Sequence, residues 1–255
     1  PAVYSLVLAL AVTGPLLAPG YLLLRDAVST PRSYLSDAAL GLTQAAPRAL
    51  PQDFAIALLS RVVDGGVLVK LLLIGGLWLA GWGAARLVAE VLPEAGVGGQ
   101  CVAATLIVWN PYVAERLLQG HWSLLVGYGC LPWVAAMMLQ RRYWPVVFWI
   151  ALAGLTPTGL LLATVVALVC CRGWRAVAIT SLTAVGVASP WLVAAAVADS
   201  LSSTAGAGVS AFAARAEPGL GTLGSLAGLA GIWNGEAVPA SRATLFALVG
   251  TVVLV

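Results

Sequence analysis

Charge is the scarcest property of this chain. Asp, Glu, Lys and Arg make up 9% of its 255 residues and hydrophobic residues 61%, whereas a soluble domain carries roughly 25% charged residues. That excludes a soluble globular protein. Histidine occurs once, as His121, so no multi-histidine metal site can be built. The four cysteines, Cys101, Cys130, Cys170 and Cys171, sit in or beside apolar segments without CxxC spacing; they read as small hydrophobes rather than a disulfide or metal framework. There is no P-loop, HExxH or GxSxG motif. The 13 basic residues are dispersed and the net charge is only +3, which excludes the clustered basic patch of a nucleic-acid binder. Unbroken apolar runs such as 160–171 exclude a transmembrane β-barrel, which needs alternation along short strands.

What is present is apolar chain in blocks. At about 22 residues per spanning helix, with the polar stretches set aside, it has room for about seven or eight membrane segments. The sequence predicts an all-α polytopic integral membrane protein, with residues 1–255 as one transmembrane domain. Segments are expected at 2–24, with kinks at Pro15 and Pro19, then at 67–88, 98–109, 123–139 and 176–197, and from 244 onward. The stretch 146–171, broken at Thr156-Pro157-Thr158-Gly159, is either one kinked span or two half-length helices. The chain begins at Pro1 rather than Met and stops at 251–255 inside an apolar run shorter than a bilayer span. It therefore reads as truncated at the C-terminus, although removal of an initiator Met before Pro1 explains the front end equally well.

Basic loops orient the chain, since short loops rich in Lys and Arg stay cytoplasmic. If Arg141-Arg142 and Arg172 to Arg175 both do so, 146–171 must go out and back as a helix pair, the reading favoured here; Arg86 joins the same side. The outer side then receives 25–66, 110–122, 156–159 and 198–242. The first of these loops holds Arg25, Asp26, Arg32, Asp37, Arg48, Asp53, Arg61 and Asp64. Ser36 or Asp37 is placed to cap a short helix there, and 52–63 is spaced loosely like an amphipathic interfacial helix. The last loop is rich in Gly, Ala and Ser, with Asp199, Arg215, Glu217, Glu236 and Arg242 as its charges. Its apolar centre, 220–233, is expected to cover an entrance for acceptor or lipid.

Candidate functional residues gather at this outer mouth: Arg25-Asp26 after the first span, then Asn110, Tyr112, Glu115, Arg116, His121 and Trp122. Each has an ordinary explanation. Arg25-Asp26 and Glu115-Arg116 read equally as exposed ion pairs worth about 0–1 kcal/mol, Tyr112 and Trp122 as an interfacial aromatic belt, and Asn110-Pro111 as a helix stop. Lys70 enters an apolar run, where a charge is functional by default unless it snorkels out. Asp53 and Asp64 are weaker candidates on the loop.

An acid directly after the first membrane helix, a long first outer loop and the later element Asn110-Pro-Tyr-Val-Ala-Glu-Arg-Leu-Leu-Gln-Gly-His-Trp122 together resemble the GT-C superfamily of membrane glycosyltransferases. More narrowly, 20–41 (GYLLLRDAVSTPRSYLSDAALG) and 110–133 resemble the polyprenyl-phosphate-sugar-dependent arabinofuranosyl- and mannosyltransferases of the actinobacterial envelope. The resemblance covers about the first 200 residues.

The resemblance implies a GT-C-like helical bundle in the bacterial inner membrane, with its site on the periplasmic side. It implies sugar transfer from a polyprenyl-phosphate donor to an envelope glycan or glycolipid, with inversion at the anomeric carbon. Membrane lipids are further partners, nucleic acid is not, and a divalent cation (Mg or Mn) is the candidate cofactor. An inverting attack needs a base for the acceptor hydroxyl, and Asp26 is the candidate. The leaving phosphate calls for fixed cations: Arg116 and His121 first, Arg25 and Lys70 behind them. Asn110, Tyr112, Glu115, Trp122 and Asp53 are expected to contact substrate. The alternative is a non-catalytic membrane subunit or a lipid-linked-sugar flippase with a degenerate fold of this kind.

Overall fold

The structure is a computed structural model that describes residues 1–43, 49–198 and 206–255; Arg48 and Asp199 lie outside the described residues. Its α-helices are α1 (Ala2–Thr13), α2 (Gln52–Leu59), α3 (Gly65–Val91), α4 (Gly96–Val108), α5 (Pro111–Gln119), α6 (Trp122–Leu139), α7 (Tyr143–Ala153), α8 (Pro157–Val169), α9 (Trp174–Val197), α10 (Gly206–Ala211), α11 (Gly221–Ala227) and α12 (Phe246–Leu254). One hairpin, β1 (Leu23–Leu24) and β2 (Ala27–Val28), is the described sheet. The all-α expectation holds.

Among the described residues three helices, α3, α6 and α9, are long and apolar enough to cross a membrane, and shorter apolar helices run over Ala2–Leu17, Tyr143–Ala153 and Pro157–Val169. The stretch 146–171 is thus two separate helices. Thr156 makes the break: its Oγ1 accepts from the Gly159 amide at 3.0 Å and opens α8 at Pro157, a position where proline's missing N–H costs nothing.

The chain divides into two compact units. The first comprises Pro1–Leu22, Ser29–Val108 and Trp122–Ser202; the second comprises Leu23–Val28, Trp109–His121 and Ser203–Val255.

The first unit is built on α3 and α6, which run parallel, since Gly76 meets Val126, Gly83 meets Trp133 and Glu90 bonds Gln140. Their seam is held by glycine: a Cβ on Gly129 would lie 2.2 Å from the Gly76 carbonyl oxygen. Small residues at such a seam let backbones approach, a main source of helix attraction in lipid. Beside it, α6 packs with α7 and α8 through Cys130, Val134, Ile150, Leu160 and Ala163, and α9 packs on α7 and α8. Trp78, Trp82, Trp133 and Trp149 form a row with centroids 5.0–5.3 Å apart. Asp64 caps α3, accepting from the Gly66 and Val67 amides, and also accepts from Tyr21 Oη at 2.9 Å.

Three expectations in this unit need correction. The first helix stops far short of residue 24: α1 gives way to a 3-10 turn ending at Leu17. Pro15 and Pro19 remove amide donors, Gly20 turns left-handed (φ +112) and Leu23-Leu24 join the hairpin, an ending that apolar composition alone conceals. The helix expected over 52–63 ends at Leu59. Around Ser36 and Asp37 there is a series of turns rather than a helix, with Ser36 Oγ accepting from the Ala39 amide.

The second unit corrects the view of 198–242 as a loop. Its described part folds into α10, α11 and two 3-10 turns, Gly235–Ala237 and Ala240–Ala243. It is fastened by a buried bidentate pair, in which Arg242 donates through Nε (3.0 Å) and Nη2 to the Glu217 carboxylate and through Nη1 to the Ala247 carbonyl.

Candidate functional site

The second unit brings together Arg25, Asp26, Asn110, Tyr112, Glu115, Arg116 and His121, seven of the sequence-predicted residues. Lys70, Asp53 and Trp122 belong to the first unit. There Lys70 Nζ donates to the carbonyls of Ala18 (2.7 Å) and Gly20 (2.8 Å), Asp53 is exposed on α2 and Trp122 is buried at the start of α6.

Helix α5 is the platform of the site. Asn110 caps it, its side chain accepting from the Val113 amide at 3.0 Å, with Pro111 in the first turn. The helix ends in a Schellman turn, His121 N to Arg116 O (2.9 Å) and Gly120 N to Leu117 O (3.1 Å), with Gly120 left-handed at φ +85. This turn folds the His121 ring back toward Arg116.

Asp26 comes from the two-residue turn of the hairpin, whose first residue, Arg25, is left-handed (φ +53), as tight hairpin turns require. The Asp26 amide donates to the Gln119 carbonyl at 3.1 Å, which fixes the turn to the end of α5. The expected pairing of Arg25 with Asp26 does not occur. Arg25 instead donates to the carbonyls of Leu118 and Glu236 and lies 3.7 Å from the Glu236 carboxylate.

Two polar chains converge on Asp26 Oδ2. In one, His121 Nε2 lies 2.8 Å from Oδ2 and His121 Nδ1 lies 3.3 Å from Arg116 Nη1. In the other, Gln119 Nε2 donates to Oδ2 at 2.9 Å while Gln119 Oε1 accepts from Asn234 at 2.7 Å. Asp26 Oδ1 carries no partner among the described residues, and the side chain is 55% exposed. Burial, then the positive charge of Arg116, holds His121 below its ordinary pKa.

Glu115 and Arg116 are not a charge pair either. Successive helical residues point about 100° apart, and here they part company. Glu115 is buried, its oxygens accepting from the Gly231 (3.2 Å) and Ile232 (3.1 Å) amides, and burial raises its pKa. With its oxygens so occupied it ties α5 to 231–232 and is closed to a substrate. Arg116 lies over the Tyr112 ring at 5.0 Å, and its buried Nε has no hydrogen-bond partner among the described residues. A buried donor without a partner is unusual, and a guanidinium offers the edge on which phosphate binds bidentately.

The residues do not fit a divalent cation, which needs several converging oxygens. Glu115 is taken by amides, Glu236 faces Arg25 and Glu217 faces Arg242. Among the described residues no three of His, Cys, Asp and Glu come together to hold a metal ion.

Gln119 and Asn234 join this constellation without a role predicted from the sequence. Gln119 lies within the 110–122 element, and Asn234 is one of only two asparagines in the chain; its one sequence signal is that scarcity. The chain matches no family model, and neither a curated protein nor a solved structure matches it.

Proposed function

We propose that the chain is a membrane glycosyltransferase of the GT-C kind, moving a sugar from a polyprenyl-phosphate donor to an envelope glycan or glycolipid with inversion. The observation that carries this reading is the line Asp26, His121, Arg116: a half-exposed carboxylate and an underused guanidinium joined through one imidazole. In the proposed reaction the acceptor hydroxyl gives its proton to Asp26 Oδ1 as its oxygen attacks the anomeric carbon. The bond from that carbon to the phosphate oxygen breaks, and its electron pair leaves with the polyprenyl phosphate. Arg116 offers its free edge to that anion, while Gln119 and His121 hold Asp26 in place. The proposal includes about seven or eight membrane segments, with 141–142 and 172–175 cytoplasmic by the positive-inside rule and 25–66 and 110–122 on the periplasmic side.

That Asp26 is not locked to Arg25 favours this over a non-catalytic subunit. The test is Asp26→Asn assayed in membranes with a radiolabelled polyprenyl-phosphate sugar. The expected loss is about 10²–10⁴-fold in turnover, the usual contribution of a general base. Full turnover in a well-expressed variant removes Asp26 from the role.

A further inference from the structure

Two arginine clusters of the first unit share one end. Helices α7 and α8 are joined by a three-residue turn, and both reach Gly127 of α6, through Ala153 and Gly159. The start of α7 and the end of α8 therefore share an end, which brings Arg141-Arg142 and Arg172 to Arg175 to the same side of the unit. At the α6–α7 corner lies a cavity of about 660 Å³ lined by Arg141, Arg142, Tyr143, Trp144, Pro145 and, from α9, Ile179. Its chemistry is two-sided, cations at one edge and an apolar wall beyond.

Neither arginine has a carboxylate partner among the described residues; the nearby Glu90 is occupied by the Gln140 amide at 2.7 Å. Trp144 is 85% exposed, a placement that suits an interfacial ring. The backbone adds an independent sign. Helix α6 ends in a Schellman turn, with Arg142 N to Met137 O at 2.9 Å and Arg141 N to Met138 O at 3.0 Å, and Arg141 takes the left-handed position at φ +57. The same turn at the end of α5 uses Gly120 there. A non-glycine residue in this conformation is disfavoured by about 1–2 kcal/mol, so the arginine is held where glycine folds better.

We propose that this corner binds the headgroup of a net-anionic phospholipid, its phosphate on Arg141 and Arg142 and its glycerol and acyl chains along Trp144, Pro145 and Ile179. Two unpaired cations beside an apolar wall complement a lipid that is anionic at one end and apolar at the other. A zwitterionic headgroup brings its own cation to the same edge and is disfavoured.

The experiment uses the full chain purified in mild detergent, exposed to phosphatidylglycerol and phosphatidylcholine in equal amounts, with retained lipids counted by native mass spectrometry. The wild type is expected to retain phosphatidylglycerol preferentially. Arg141→Gly and Arg142→Ala should each weaken that preference about fivefold, since each arginine near a lipid surface contributes about 1 kcal/mol. Arg141→Gly should do so without lowering the midpoint of thermal unfolding, because glycine suits the turn, so lost lipid cannot be blamed on lost fold. Arg172→Ala is the control and should leave the preference intact. Equal retention of both lipids by the wild type, an equal loss in Arg172→Ala, or displacement of the lipid by millimolar glycerol phosphate overturns the proposal.

Discussion

Arg116 Nη1 lies 3.3 Å from His121 Nδ1. A guanidinium can only donate, so Nδ1 must accept and the ring proton sits on Nε2, 2.8 Å from Asp26. The imidazole is thereby neutral and fixed in one tautomer, with its Nε2 proton directed at Asp26 Oδ2.

This fixes the sign of a pH effect. The His121 pKa is lowered in the fold, so the stability it contributes is present above its unfolded value of about 6.5 and is lost as pH falls through the lower folded value. Because His121 is the one histidine, an NMR titration of a histidine-labelled sample reads it without assignment. We expect a midpoint below about 6.5, and an upward move in Arg116→Gln as the repelling charge is removed. A midpoint above that value in the wild type would contradict the neutral tautomer.

Gly120 is predicted to accept no side chain. A Cβ there would lie 2.5 Å from the Ala27 amide nitrogen and 2.9 Å from the Leu24 carbonyl oxygen. Gly120→Ala should cost at least about 1–2 kcal/mol through its left-handed backbone alone and push the hairpin off α5. Thermal unfolding should show the loss, and turnover should fall because Asp26 moves with the hairpin. An unchanged unfolding midpoint would mean that the close approach is not real.

Glu115→Ala leaves two buried amides, Gly231 and Ile232, without an acceptor. A cost of about 2–4 kcal/mol follows. The wild-type carboxyl has a raised pKa because burial outweighs its two amide donors. Its contribution is therefore full below the unfolded carboxyl value and is lost as pH rises through the folded one. Comparing unfolding midpoints of the wild type and Glu115→Gln from pH 4 upward isolates this slope, which should vanish in the variant.

The pair Glu217 and Arg242 should behave asymmetrically. Removing one charge, as in Glu217→Gln, strands a buried guanidinium and should cost about 3–5 kcal/mol. Replacing both, Glu217→Leu with Arg242→Met, should restore part of that, the remainder being the loss of the Glu217 charge 3.8 Å from Arg215 Nη2. A double variant as unstable as the sum of the singles would show that the hydrogen bonds to Ala247 and Thr251, rather than the charge pair, hold the segment.

Much of the helical frame is legible in the sequence. The starts and ends of α3, α6 and α9 lie within a few residues of the apolar runs that predict them, because lipid leaves a long apolar segment few alternatives to a helix. The hairpin is hidden because Leu22, Leu23 and Leu24 look like more of the first helix, and the two prolines before them read as kinks rather than as an end. Asp26, Arg116 and His121 are legible as rare polar residues beside apolar chain. The residues that hold the site together are not: Gln119 on Asp26, Asn234 on Gln119 and Glu236 on Arg25 depend on contacts across 93 to 211 positions, and no local pattern encodes those. Nor does adjacency in sequence reveal that Glu115 turns inward while Arg116 faces the histidine.

The long reach of those contacts bears on the order in which the protein is made. A ribosome releases Arg25 211 residues before Glu236, which holds it, and Gln119 115 residues before Asn234, which orients it. The hairpin must wait for that distant segment before its contacts are complete. Nascent chains arrested before Asn234 should therefore contain most of the apolar helices while Gln119 still lacks the asparagine that orients it.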